Sequence, residues 1–184
     1  MLRRVRVHIC SERHGVAVEL FDPEPEDAED DLADGAEIAP WMGGIGAGMF
    51  GGAEEEAPEE TEQTEVFCEG RLRTREDVFS LTYRESEQTE MDDATTTLSF
   101  RTTTPGLVTI LRSGDVSTSM VFEKGRRHTC VYHTPYLTFE ICVHTLQVEN
   151  RLHTDGTLFL DYVVEIRGAR AEHCRLTLQV SEMA

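Results

Sequence analysis

From about Glu65 to Val180 the chain is a succession of short segments in which apolar and polar residues alternate, each closed by its own turn signal. A two-residue period throws successive side chains to opposite faces of an extended backbone, whereas an amphipathic helix needs apolar residues three and four positions apart. No segment between the turns carries the helical interval, so the chain is expected to be all-β. The opening strand runs from Leu2 to Cys10, with Val5, Val7 and Ile9 alternating with Arg4, Arg6 and His8. Val16, Val18 and Leu20 extend it or pair with it after a turn at His14-Gly15. Near the other end, Leu158, Leu160, Tyr162, Val164 and Ile166 face away from Asp161, Glu165 and Arg167, and Cys174, Leu176, Leu178 and Val180 alternate with Arg175, Thr177 and Gln179.

Between these lie strands from Val66 to Thr74, Val78 to Arg84, Ala94 to Arg101, Leu107 to Arg112, Val116 to Glu123, Arg127 to His133 and Thr138 to Val148. Gly and Asp at Ser113-Gly114-Asp115, Lys124-Gly125 and Asp155-Gly156 supply the positive φ of tight hairpins. The total is about eight to ten strands linked as an antiparallel meander. At 184 residues the chain is of single-domain size. A meander of this length can close on itself and lose its exposed edges. A single barrel is therefore expected, with a two-sheet sandwich as the competitor.

The net charge of −18 is confined to one segment. Sixteen of the 35 acidic residues, and none of the 17 lysines and arginines, lie between Asp22 and Glu65, leaving the rest of the chain near −2. This segment is rich in Glu, Asp, Pro, Ala and Gly and cannot bury enough apolar surface to offset the entropy of ordering. It is predicted to be a disordered insertion in an early loop, residues 22–65. Its middle differs, because Ile38 to Ala53 is uncharged and carries Trp41, Met42, Met49 and Phe50 among glycines. That stretch is either a Gly-rich linker or a recognition segment in which Trp41, Met42, Met49 and Phe50 meet a partner.

Cys10, Cys68, Cys130, Cys142 and Cys174 show no close spacing, so neither a disulfide framework nor a zinc ribbon is signalled. Reduced thiols point to the cytoplasm. Arg3, Arg4 and Arg6 have no apolar run behind them, as a secretory signal would require, and no stretch approaches the roughly 20 apolar residues of a membrane span. No cofactor is signalled. Arg71, Arg73 and Arg75 share a strand face, but an acidic chain repels phosphates and nucleic acid is not an expected partner.

Leu81-Thr82-Tyr83-Arg84-Glu85, Val108 through Gly114, Met120-Val121-Phe122 and Gly156 through Tyr162, in that order and spacing, resemble the bacterial YwiB-like family of unknown function. The resemblance covers the first strand and about Glu65 to Val180, and it implies a calycin or lipocalin-like β-barrel with no activity or cofactor to carry over. Two departures stand out: the acidic insertion itself, and Leu137, where a glycine is common in the family after the aromatic residue.

Two constellations bear on chemistry. Glu85 and Arg112 lie at the ends of the best-matching strands, and Tyr83 shares parity with Glu85; pointing inward, they form a polar cluster at a barrel mouth able to orient a ligand. The alternative is a structural ion pair. Across the Thr134 to Leu137 turn, pairing of Thr134 with Thr138 sets Cys130 opposite Cys142 and His128 opposite His144, a legitimate metal set, although a one-residue change of register breaks it. Cysteines packed in the core with histidines at the rim are the simpler outcome. No nucleophile elbow, metalloprotease helix or phosphate loop is present, so catalysis has little support. The expected function is small-ligand or partner binding at the mouth of a barrel, the alternative an interaction module that binds through the Trp41 segment.

Overall fold

The computed structural model describes residues 2–15, 61–85 and 94–183. They form ten strands: β1 (Leu2–Gly15), β2 (Thr61–Arg75), β3 (Val78–Arg84), β4 (Thr95–Arg101), β5 (Thr104–Ser113), β6 (Ser117–Glu123), β7 (Arg127–His133), β8 (Thr138–Arg151), β9 (Thr157–Ile166) and β10 (Ala169–Glu182). They make one closed antiparallel barrel in the order β1-β10-β9-β8-β7-β6-β5-β4-β3-β2. From β2 to β10 each strand pairs with the next, and β1 closes the ring between β2 and β10. The sandwich is thereby excluded.

Alternation decides what lies inside. Val5, Val7, Leu81, Leu98, Val108, Phe122, Val143, Leu158, Leu160 and Leu178 are almost completely buried and belong to one inner core. The positions between them carry Arg4, Arg6, Glu69, Arg71 and Arg175, which face out. Apolar inside and charged outside is the reverse of a lipid-facing barrel. Among the described residues no helix is long and apolar enough to cross a membrane.

Two turns require their glycines. Arg167 (φ 53°) and Gly168 (φ 82°) form the two-residue link between β9 and β10, both in the left-handed region that suits the twist of a hairpin. Gly156 (φ 77°) lies so close to β10 that a Cβ there would stand 2.5 Å from the Val180 carbonyl oxygen, while its own carbonyl accepts a 2.8 Å bond from the Val180 amide.

The structure revises the sequence reading in two places. Thr61 to Glu65, read as the end of the insertion, forms the first part of β2 and pairs with β1 from His14↔Thr61 to Cys10↔Glu65. Long β strands with charged outer faces look like polar linker when only composition is counted. The rest of the acidic insertion, and the Val16 to Leu20 extension, lie outside the described residues.

The β7–β8 hairpin is the second revision. His133 pairs with Thr138, so the turn holds four residues and the register is one residue out from the one expected. Cys130 faces Ile141 and His128 faces Val143, while Cys142 faces Thr129 and His144 faces Arg127. The Thr134 side chain closes this turn, with Oγ1 accepting from the Leu137 amide at 2.9 Å and the Thr134 amide donating to the Leu137 carbonyl at 2.8 Å. Leu137 has no positive φ, so its replacement of a glycine costs no backbone strain.

A candidate ligand site at one end of the barrel

β3 carries Phe79, Leu81 and Tyr83 inward at alternate positions, and Glu85 continues that parity just past its end. β5 does the same with Val108, Ile110 and Arg112. The ladder then sets the inner side chains side by side: Tyr83 is opposite Thr96, Thr96 opposite Arg112, Arg112 opposite Thr118, and Thr118 opposite Tyr132. Buried threonines on both sides of Arg112 are short enough to leave its guanidinium room within the wall of larger residues. The three residues expected to cluster at a mouth, Tyr83, Glu85 and Arg112, are brought together.

The Glu85 side chain is only 4% exposed, and that of Arg112 is 20% exposed. Glu85 Oε1 accepts a 2.5 Å hydrogen bond from Thr96 Oγ1 and stands 3.8 Å from Arg112 Nε. Thr96 has one hydroxyl proton, and it goes to Glu85. The contact between Glu85 and Arg112 is thus an ion pair without a hydrogen bond, and among the described residues Arg112 Nε is buried with no hydrogen-bond partner.

Electrostatics follow from this burial. Burial first and the Glu85 charge second push the Tyr83 phenol above the ordinary tyrosine range. Cys68, on the inner face of β2, is pushed up to about 11 by the same two causes in the same order. Burial works against the charge of Arg112, but Glu85, with Tyr132, Tyr83 and Tyr162, outweighs it and holds the guanidinium above its usual range. The arrangement can present guanidinium donors to an acidic or carbonyl group while a carboxylate and phenol orient the rest of a ligand.

The meander places this site at the end of the barrel where β3, β5, β7 and β9 finish, which is also where Gly15 leaves β1 and Thr61 enters β2. At the opposite end a cleft of about 600 Å³ is lined by Arg3, Leu72, Phe79, Thr102, His153 and Glu182 among others, with Arg3 and Glu182 paired across it. The polar cluster does not open into that cleft.

The four expected metal ligands do not converge. His128 and Cys130 have the inward parity of β7, with His128 3.5 Å from Glu123 Oε2 and Cys130 accepting from Thr118 Oγ1 at 3.7 Å; Cys142 and His144 lie on the outer face of β8. Trp41, Met42, Met49 and Phe50 lie outside the described residues. Sequence reasoning missed Thr96, Thr118 and Tyr132. Parity with Leu98 and Phe100 selects Thr96 from its threonine run, but its contact with Glu85 depends on pairing between strands.

The fold and this inner cluster define a class: a closed ten-stranded meander barrel with an apolar interior and one charged, hydrogen-bonded end. The chain belongs to the family described as a domain of unknown function (DUF1934), which matches residues 52–178 and so spans β2 to β9 and most of β10. Among solved structures it is similar to the ywiB protein from Bacillus subtilis, with a TM-score of 0.59 and 13% sequence identity over 98% of this chain and 93% of that one. At that identity the likeness speaks for the fold alone. No curated protein matches the chain.

Proposed function

We propose that this barrel is a binding protein whose polar end takes a small ligand bearing an acidic or strongly polar group, held by Arg112, oriented by Glu85 and bordered by Tyr83. The observation that carries the reading is the state of Arg112: its Nε is buried and, among the described residues, makes no hydrogen bond, although a carboxylate stands 3.8 Å away. A buried donor left unsatisfied costs about 1–3 kcal/mol, more for a charged group, and a ligand oxygen removes that cost. The 20% exposure of the Arg112 side chain supports access from the mouth.

A purely structural ion pair is the competing account. Native mass spectrometry of the protein purified under gentle conditions distinguishes them. The expected result is an added mass of a few hundred daltons, in the range of small ligands that fill such pockets, lost in a Glu85→Gln/Arg112→Leu double variant that strands no charge. A bare protein mass for wild type, or an adduct that survives in a folded double variant, rejects the reading.

A further inference from the structure

A second cluster lies on the outer wall, unconnected with the inner pair. Cys10 of β1 is directly opposite Glu65 of β2, and His8, two positions earlier on β1, shares their outward face. Nε2 of His8, Sγ of Cys10 and a carboxylate oxygen of Glu65 all lie within 4.8 Å of one another. His8 Nε2 is 2.7 Å from Glu65 Oε1 and 3.3 Å from Cys10 Sγ. Both contacts converge on the same ring nitrogen. The imidazole is also held from the side, since the Phe67 ring stacks on it at 4.2 Å with an interplanar angle of 1°.

We infer that His8, Cys10 and Glu65 form a zinc(II) site with three protein ligands and a fourth position left to water. Imidazole, thiolate and carboxylate are all zinc donors, and bond lengths of about 2.0–2.3 Å around a tetrahedral ion set ligand atoms roughly 3.2–3.7 Å apart. The Cys10 to His8 distance of 3.3 Å already falls in that interval. Admitting the ion widens the His8 to Glu65 contact by about half an ångström, measured against the same bond lengths; the Glu65 side chain is 61% exposed and free to move that far. On the other side of β1 the neighbours are neutral, with Gln179 opposite His8 and Thr177 opposite Cys10, so no cation stands across that ladder to repel the metal. On binding, the Cys10 thiol and, where protonated, the imidazole release their protons to solvent, and the His8 to Glu65 hydrogen bond gives way to two metal bonds. The site joins β1 to β2: His8 and Cys10 precede the residues matched by the family, and Glu65 lies within them.

Cobalt(II), a spectroscopically visible substitute for zinc, tests this on the full chain after chelator stripping under reducing conditions and with excess magnesium to occupy carboxylate-only sites. The expected result is one cobalt per chain, a thiolate-to-cobalt charge-transfer band in the near ultraviolet, intense visible bands of a four-coordinate ion, and displacement by one equivalent of zinc. Cys10→Ser abolishes the charge-transfer band, and His8→Ala weakens binding by at least the roughly 10–100-fold that loss of a mere supporting contact costs a metal site. All three residues are on the outer face, so both variants fold, as circular dichroism checks; a Cys130→Ser/Cys142→Ser variant leaves the spectrum unchanged. Absence of the charge-transfer band in wild type, or its survival in Cys10→Ser, overturns the assignment.

Discussion

Glu85 and Arg112 face each other inside the barrel at 3.8 Å, close enough to pair and too far to hydrogen-bond, with the carboxylate committed to Thr96 instead. The pair is held by placement in two neighbouring hairpins, so each charge depends on the other. Arg112→Leu alone leaves a 4% exposed carboxylate without its cation and should lower stability by about 3–5 kcal/mol, with Glu85→Gln in the same chain restoring most of it. Urea denaturation of the two single variants and the double variant measures this coupling. Additive single effects with no recovery contradict it.

Gly156→Ala should be among the most damaging small substitutions. The added carbon would stand 2.5 Å from the Val180 carbonyl, a backbone atom that cannot rotate aside, and the residue keeps a φ of 77°. A loss of about 1–3 kcal/mol is expected from strain at that backbone angle, with the clash added to it. Gly106→Ala is the control, having open space around its Cβ position, and a melting temperature equal to that of Gly156→Ala would refute the close approach.

The β7–β8 register has a chemical test. A cysteine placed at Thr129 lies directly opposite Cys142, whereas Cys130 is on the other face. Oxidation of Thr129→Cys should join residues 129 and 142, and peptide mapping should find no bond between 130 and 142. A 130–142 disulfide in folded protein would restore the register that the turn excludes.

Alkaline pH should unfold the protein early. Cys68 is pushed up to about 11 and Cys174 to about 12, both chiefly by burial, against an ordinary thiol value of 9.0. Tyr83 and Tyr162 are also raised, again mainly by burial. The unfolded chain therefore loses protons first, so stability is intact below about pH 9 and falls as pH rises toward the folded-state values. In spectrophotometric titration, Tyr83 and Tyr162 should ionise only together with loss of the barrel. Reversible ionisation of all four tyrosines in the folded state is the contrary result.

Much of this architecture is readable from the residues. Each strand advertises itself through alternation, and the inward direction of Arg112 follows from Val108 and Ile110 without any coordinates. Register is less legible, because it depends on turn length: the Thr134 hydroxyl closes a four-residue turn, and nothing in the alternation of β7 or β8 distinguishes that from a three-residue one. The outer cluster was hidden for another reason. Glu65 lies in a run of acidic residues whose composition speaks for a linker, and its partners His8 and Cys10 are more than fifty positions away. Where ligands come from two distant strands, only the pairing itself brings them together.

The position of β1 between β2 and β10 also governs the order of assembly. Of the ten strands Leu2–Gly15 leaves the ribosome before the others, yet one of its two neighbours, Ala169–Glu182, leaves after all the rest. Until then the growing meander carries an unsealed margin along β9, a template for unwanted pairing with other nascent chains. Final closure joins segments some 170 residues apart, a connection of the slowest kind for a folding chain.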